Sequence, residues 1–130
     1  MSRKPAVGDV LQFELPDGTY AYGRVLRDAA VAFYRRRSVE AGNPPLGDRD
    51  FEFVVGVYDD VVRNHPVVGH DPSSDPDDDW PPPQKIVDPI NGSFRIYDRG
   101  EVRQASEDEA HDLETAAVWD EHHLIERLAS

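Results

Sequence analysis

The stretch VLQFELPDGTYAYGRVL, residues 10–26, constrains the fold more than any other part of the chain. Leu11, Phe13 and Leu15 alternate with Gln12 and Glu14, and a period of two marks a strand with one buried face. Residues 16–18, Pro-Asp-Gly, supply a turn: proline fixes one backbone angle and glycine accepts a positive φ. The chain then returns as a second strand. Tyr20, Tyr22 and Arg24 fall on one face, and Ala21, Gly23 and Val25 on the other. Gly23 predicts a bulge or the close approach of another segment.

Further strands follow. VAFY at 31–34 is short, and FEFVVGVY at 51–58 is the strongest, with Phe51, Phe53, Val55 and Val57 on one face. Between them, residues 35–50 are polar and broken by glycine and proline, so they read as a loop. Residues 59–71 read either way. Proline and aspartate dominate 72–83 and exclude regular structure there, while 85–87 form a short strand. SFRIY, DRG and EVRQA make a second hairpin, with Phe94 and Ile96 alternating against Arg95 and Tyr97. The period then changes. Ser106 and Glu109 have capping-box spacing, and Ala110, Leu113, Ala116 and Ala117 follow at helical intervals. Asp120 is placed to cap a second helix with Leu124, Ile125 and Leu128 as its apolar stripe. The expectation is one domain over residues 1–130 of α+β class: a small, mainly antiparallel β-barrel or rolled sheet, SH3-like as one possibility, closed by one or two C-terminal helices.

Charge narrows the function. Residues 1–49 carry 8 basic and 6 acidic side chains, and residues 50–130 carry 6 and 20, giving the net −12 of the chain. Nucleic-acid affinity comes from Lys and Arg neutralising phosphates, so direct binding of DNA or RNA is disfavoured. A basic protein partner is favoured, although acidity also serves solubility. There is no cysteine, hence no disulfide, thiolate zinc cage or cysteine nucleophile. The basic start lacks the apolar core of a signal peptide, and no run approaches a membrane span, so a cytoplasmic protein with no membrane association is expected.

No phosphate-binding loop, HExxH or GxSxG motif is present. His65, His70 and Asp71 lie within seven residues, and Glu121, His122 and His123 are adjacent; imidazole and carboxylate suit many metals. Neither spacing places two ligands on one helix face, so surface or capping roles account for them and no metal or cofactor is expected. Residues 71–79 have the composition of a calcium loop, but the sixth-position glycine is missing and prolines interrupt. The same loop reads as an interaction element: Asp75, Asp77, Asp78 and Asp79 would mimic phosphates to a basic partner. Trp80, followed by three prolines, is either an aromatic anchor beside them or a core residue pinning the loop. Glu107, Asp108 and Asp112 extend the acidic character, while the first acids of that helix also suit its dipole. Tyr20, Tyr22, Tyr34, Tyr58 and Arg24 invite reading as an aromatic cleft, but sheet packing explains them without function.

GDVLQFELPDGTYAYGRVL, residues 8–26, resembles the opening of the immunity protein 26 family of bacterial polymorphic toxin systems, and VRQASEDEAHDLETAAVWDEHHLIERL, residues 102–128, is similar to that family's ending. The resemblance implies a cytoplasmic antidote, monomeric or weakly dimeric, that binds a cognate toxin stoichiometrically and performs no catalysis. It carries over no toxin-contact residue; the acids above and Trp80 are the candidates this sequence itself offers. An alternative attached to relatives, a metal-dependent phosphoester or phosphotriester hydrolase, requires His65, His70, Asp71 and His122 to converge.

Overall fold

A computed structural model describes residues 4–130. Strands β1 (Asp9–Glu14) and β2 (Tyr20–Val25) pair antiparallel with Phe13 opposite Ala21 and Val10 opposite Arg24. The turn between them is the expected one: Gly18 has φ +86°, and the Asp17 carboxylate accepts from both the amide and the hydroxyl of Thr19. β3 (Ala30–Tyr34) and β4 (Phe51–Val57) extend the sheet. The ambiguous stretch resolves into a short helix α1 (Asp59–Arg63) and an edge strand β5 (Val67–His70), which pairs with β1 across a bulge at Val10/Leu11. Gly23 accommodates a close approach, as its place in the strand predicts: a Cβ there would lie 2.5 Å from a Val31 methyl.

The second hairpin is present, but on its own sheet. β6 (Gln84–Val87), β7 (Phe94–Asp98) and β8 (Glu101–Ala105) form an antiparallel trio, the last two joined by an Arg99–Gly100 turn with both φ positive. The proline- and aspartate-rich loop is irregular except for one 3-10 turn, Pro76–Asp79, which Asp75 caps and Pro76 starts.

The tail departs from expectation. The Ser106/Glu109 capping box forms, but helix α2 is a single turn, Glu107–Ala110, and the Leu113, Ala116 and Ala117 spacing does not continue it. Backbone pairing across sheets wins instead. The Lys85 amide donates to the Glu114 carbonyl and the Ala116 amide to the Lys85 carbonyl. The chain then adds β9 (Val118–Trp119) parallel to β4, close enough that a Cβ on Gly56 would sit 3.2 Å from the Ala117 carbonyl oxygen. Helix α3 (Glu121–Ala129) follows, capped by Asp120, and buries Leu124 and Leu128.

The larger sheet therefore runs β5-β1-β2-β3-β4-β9, and the smaller β6-β7-β8. The α+β class holds, but the barrel does not. The six-stranded sheet stays open because its edges, β5 and β9, do not pair with each other. Each face of that sheet is covered differently. One carries Leu11, Phe13, Val31, Phe33, Phe53 and Val55 and is closed by α1 and α3. The other carries Val10, Tyr22, Arg24, Ala32 and Tyr34 and lies under the acidic segment. Among the described residues no helix is long and apolar enough to cross a membrane.

Candidate functional site

The second face is organised by a buried guanidinium. Arg24 stands on β2 between Tyr22 and Leu26 and is 2 % exposed. A charge taken out of water needs acceptors for its donors, or burial is prohibitive. The acidic segment supplies them. Arg24 Nε donates to the Asp71 carbonyl (2.7 Å), Nη1 to the Asp78 carbonyl (2.9 Å) and Nη2 to the Asp79 carboxylate (2.7 Å). One strand residue thus holds both ends of the loop, and the Arg27 amide adds a bond to the Asp79 carbonyl.

Asp71 is the second buried charge, 3 % exposed. Its Oδ2 accepts from the Tyr34 hydroxyl and from Arg49 Nη1 at 2.8 Å. Burial is the largest single influence on this carboxyl and opposes ionisation, but the Arg49 and Tyr34 hydrogen bonds, a backbone hydrogen bond from Gly47 and the Arg49 charge act against it, and the group is held below its ordinary value. The Tyr34 phenol is pushed far above its ordinary range, first by burial and then by the carboxylate it donates to. Tyr22 makes the matching link to the long loop, its hydroxyl 2.7 Å from Ser38 Oγ and accepting from the Asn43 amide. Among the described residues no buried side-chain polar atom lacks a partner.

The sequence-predicted acids take different roles. Asp79 is bound to Arg24 and faces inward. Asp75 caps the 3-10 turn through the Asp77 amide. Asp78 accepts from Ser73 Oγ. Asp75, Asp77 and Asp78 are all exposed, and Asp77, at 72 %, pairs with Arg99 Nη1 at 3.1 Å. Trp80 is half-buried between two guanidiniums, Arg27 at 5.8 Å and Arg99 at 5.3 Å from its ring centre. Glu107, Asp108 and Asp112 are exposed on or just after α2, which packs near β7 rather than on the larger sheet. Among the described residues no hydrogen bond or ion pair joins them to the loop acids.

The side chains that a hydrolase would require do not converge. His65 stacks on Phe13 and meets Glu121 (2.7 Å); His70 meets Asp9 (2.9 Å); Asp71 sits in the buried network; His122 faces Glu126 (3.2 Å). Among the described residues no three His, Asp or Glu side chains gather as a metal site would require. Tyr58, grouped with the other tyrosines in sequence, is exposed and away from them.

Sequence reasoning missed the roles of Arg24 and Arg49. Arg24 joins residues 47 to 55 positions away. One signal was available: an arginine in phase with tyrosines on a strand with two apolar faces.

Residues 6–96 match the immunity protein 26 family. The chain belongs to that family. No curated protein and no solved structure matches it significantly. The part matched to immunity protein 26 contains the first hairpin, the Arg24–Asp71 network and Trp80. It ends at Ile96, so the similarity expected for residues 102–128 lies outside it.

Proposed function

We propose that this protein is an immunity protein that binds a cognate toxin in the cytoplasm of the cell making it and neutralises it by stoichiometric contact, without catalysis. Membership of the immunity protein 26 family carries this reading. The charge distribution supports the mode of contact. Residues 50–130 hold 20 acidic and 6 basic side chains, and such a surface speeds encounter with a basic partner and rejects acidic ones. The contact surface we assign combines Asp75, Asp77, Asp78, Asp79 and Trp80 with Glu107, Asp108 and Asp112. Within it Asp79 acts from behind, fixing the loop through Arg24, while Asp77 and Asp112 are well exposed, at 72 % and 98 %. The partner is a protein with a basic surface, not nucleic acid or a membrane.

Co-expression with the toxin encoded beside it tests the reading. Cells should survive, and a complex should co-purify that weakens as salt rises from about 0.1 M to about 1 M, where the screening length falls from ~10 Å to ~3 Å. Continued killing with no complex refutes it.

A further inference from the structure

The two sheets do not pack flush. Between them lies an open cavity of about 460 Å³, within the range of small-molecule sites. Small residues keep it open: Ala29, Ala30 and Gly56 on the side of the larger sheet, and Ala116 and Ala117 of the segment leading into β9. The smaller sheet faces them with Gln84, Ile86 and Tyr97. Gln84 stands opposite Tyr97 in the β6–β7 ladder and two residues before Ile86, so the three share one face.

Gln84 is a polar group that the fold leaves unused. It is 8 % exposed, and among the described residues its carboxamide makes no hydrogen bond. Every fully buried polar atom does have a partner, so the Gln84 amide nitrogen and oxygen each retain some exposure, and the cavity is what the residue lines. A carboxamide so nearly buried and unpaired costs stability, which a methionine in the same place would not. Its surroundings, by contrast, are set before anything binds. The Tyr97 hydroxyl donates to Asp28 Oδ2 at 2.7 Å, and the Val57 amide donates to the Ala29 carbonyl at 2.9 Å.

We propose that this cavity binds a small uncharged ligand through an amide-type group, an N–H beside a C=O as in a primary carboxamide, a lactam or a pyrimidine, paired with the Gln84 carboxamide. The chemistry of Gln84 selects that class. Its side chain offers donors and an acceptor together, and only a group with both uses the whole set. A carboxylate would leave the Gln84 oxygen unpaired and would meet Asp28, while no Lys, Arg or His lines the cavity to receive it. An ammonium would leave the Gln84 N–H groups unpaired, and Asp28 already accepts from Tyr97. The apolar body of the ligand lies on Ile86, Pro81 and the alanines. A site ordered in advance loses little entropy on binding. It shares no residue with the toxin surface assigned above, so it stands or falls apart from the immunity reading.

Three probes with one ring and different heads test it on the full chain at neutral pH: benzamide, benzoate and benzylamine, followed by NMR of the Gln84 side-chain amide. Benzamide should shift that signal and bind roughly 10-fold or more tightly than either charged analogue, as expected when neutral hydrogen bonds decide the difference. Gln84→Met should abolish the preference and melt at or above wild type, because it removes an unpaired amide. Ala117→Leu, on an exposed residue of the wall, narrows the cavity and should weaken benzamide by a similar factor with the fold intact. The proposal is overturned if the three probes bind alike or not at all, if the Gln84 amide signal stays in place, if Ala117→Leu binds benzamide as wild type does, or if Gln84→Met melts well below wild type, which would give the amide a structural role.

Discussion

The two faces of the six-stranded sheet are buried by opposite means. On one, three phenylalanines from β1, β3 and β4 stack with ring centres 5.0–5.2 Å apart, and Leu124 and Leu128 of α3 close over the cluster. On the other, Arg24, Tyr34 and Asp71 form a hydrogen-bonded network under a loop with almost no apolar side chains. The first closure needs only oily surface of about the right shape and tolerates variation. The second needs particular donors to meet particular acceptors, because a buried charge without a partner is costly. One face is closed by area and the other by pairing, so they should fail differently.

Phe33→Ala should have the largest effect, about 3–5 kcal/mol of lost stability by urea titration, because a fully buried ring leaves a cavity. Arg24→Met should cost about 3 kcal/mol, since it strands two carbonyls and a carboxylate. It should also raise amide exchange across residues 71–80 while leaving α3 protected. Equal loosening of both faces would break the distinction drawn above.

Asp71→Asn should come next, with a loss of about 1–3 kcal/mol, and its signature is pH. The folded carboxyl titrates below its ordinary 3.8, so its contribution is present above that value and disappears as pH falls further. The Tyr34 phenol is raised above its ordinary 10.0, so its contribution is present below pH 10 and declines as pH climbs past it. Wild type should therefore lose stability at both extremes, and Asp71→Asn should flatten the acid limb. Asp77→Asn, on an exposed side chain, should leave the melting temperature unchanged while weakening toxin binding. A large fall in stability would move Asp77 from the contact surface to the scaffold.

The same contrast explains what the sequence revealed. Alternation in β1 and β2 exposed the phenylalanine face directly, because each strand writes its own buried side every second residue; in β4 the period placed Phe51 with Phe53, Val55 and Val57, but the register shift at Phe33/Tyr34 puts Phe51 on the second face, against Tyr34. The caps at Ser106 and Asp120 were legible for a similar reason: donor and acceptor are three residues apart. The network was not legible, since its acceptors for Arg24 lie 47 to 55 residues on and nothing local announces the pairing. Likewise β9 overruled the helical spacing of Leu113, Ala116 and Ala117 through parallel contacts with β4, about sixty residues earlier. Of the candidate site, the acidic loop and Trp80 were visible as composition. Which aspartate faces inward depends on the position of Arg24 in the folded sheet.

Helix α3 has a consequence for the order of events during synthesis. The phenylalanine cluster is assembled from residues 11 to 62, yet its cover, Leu124 and Leu128, comes about sixty residues later. At ~5–20 residues per second, the ribosome leaves that oily surface uncapped for several seconds after β4 and α1 have been made. A chain halted before Asp120 would lack Leu124 and Leu128 over that surface, and exposed apolar surface of this kind is what chaperones act on.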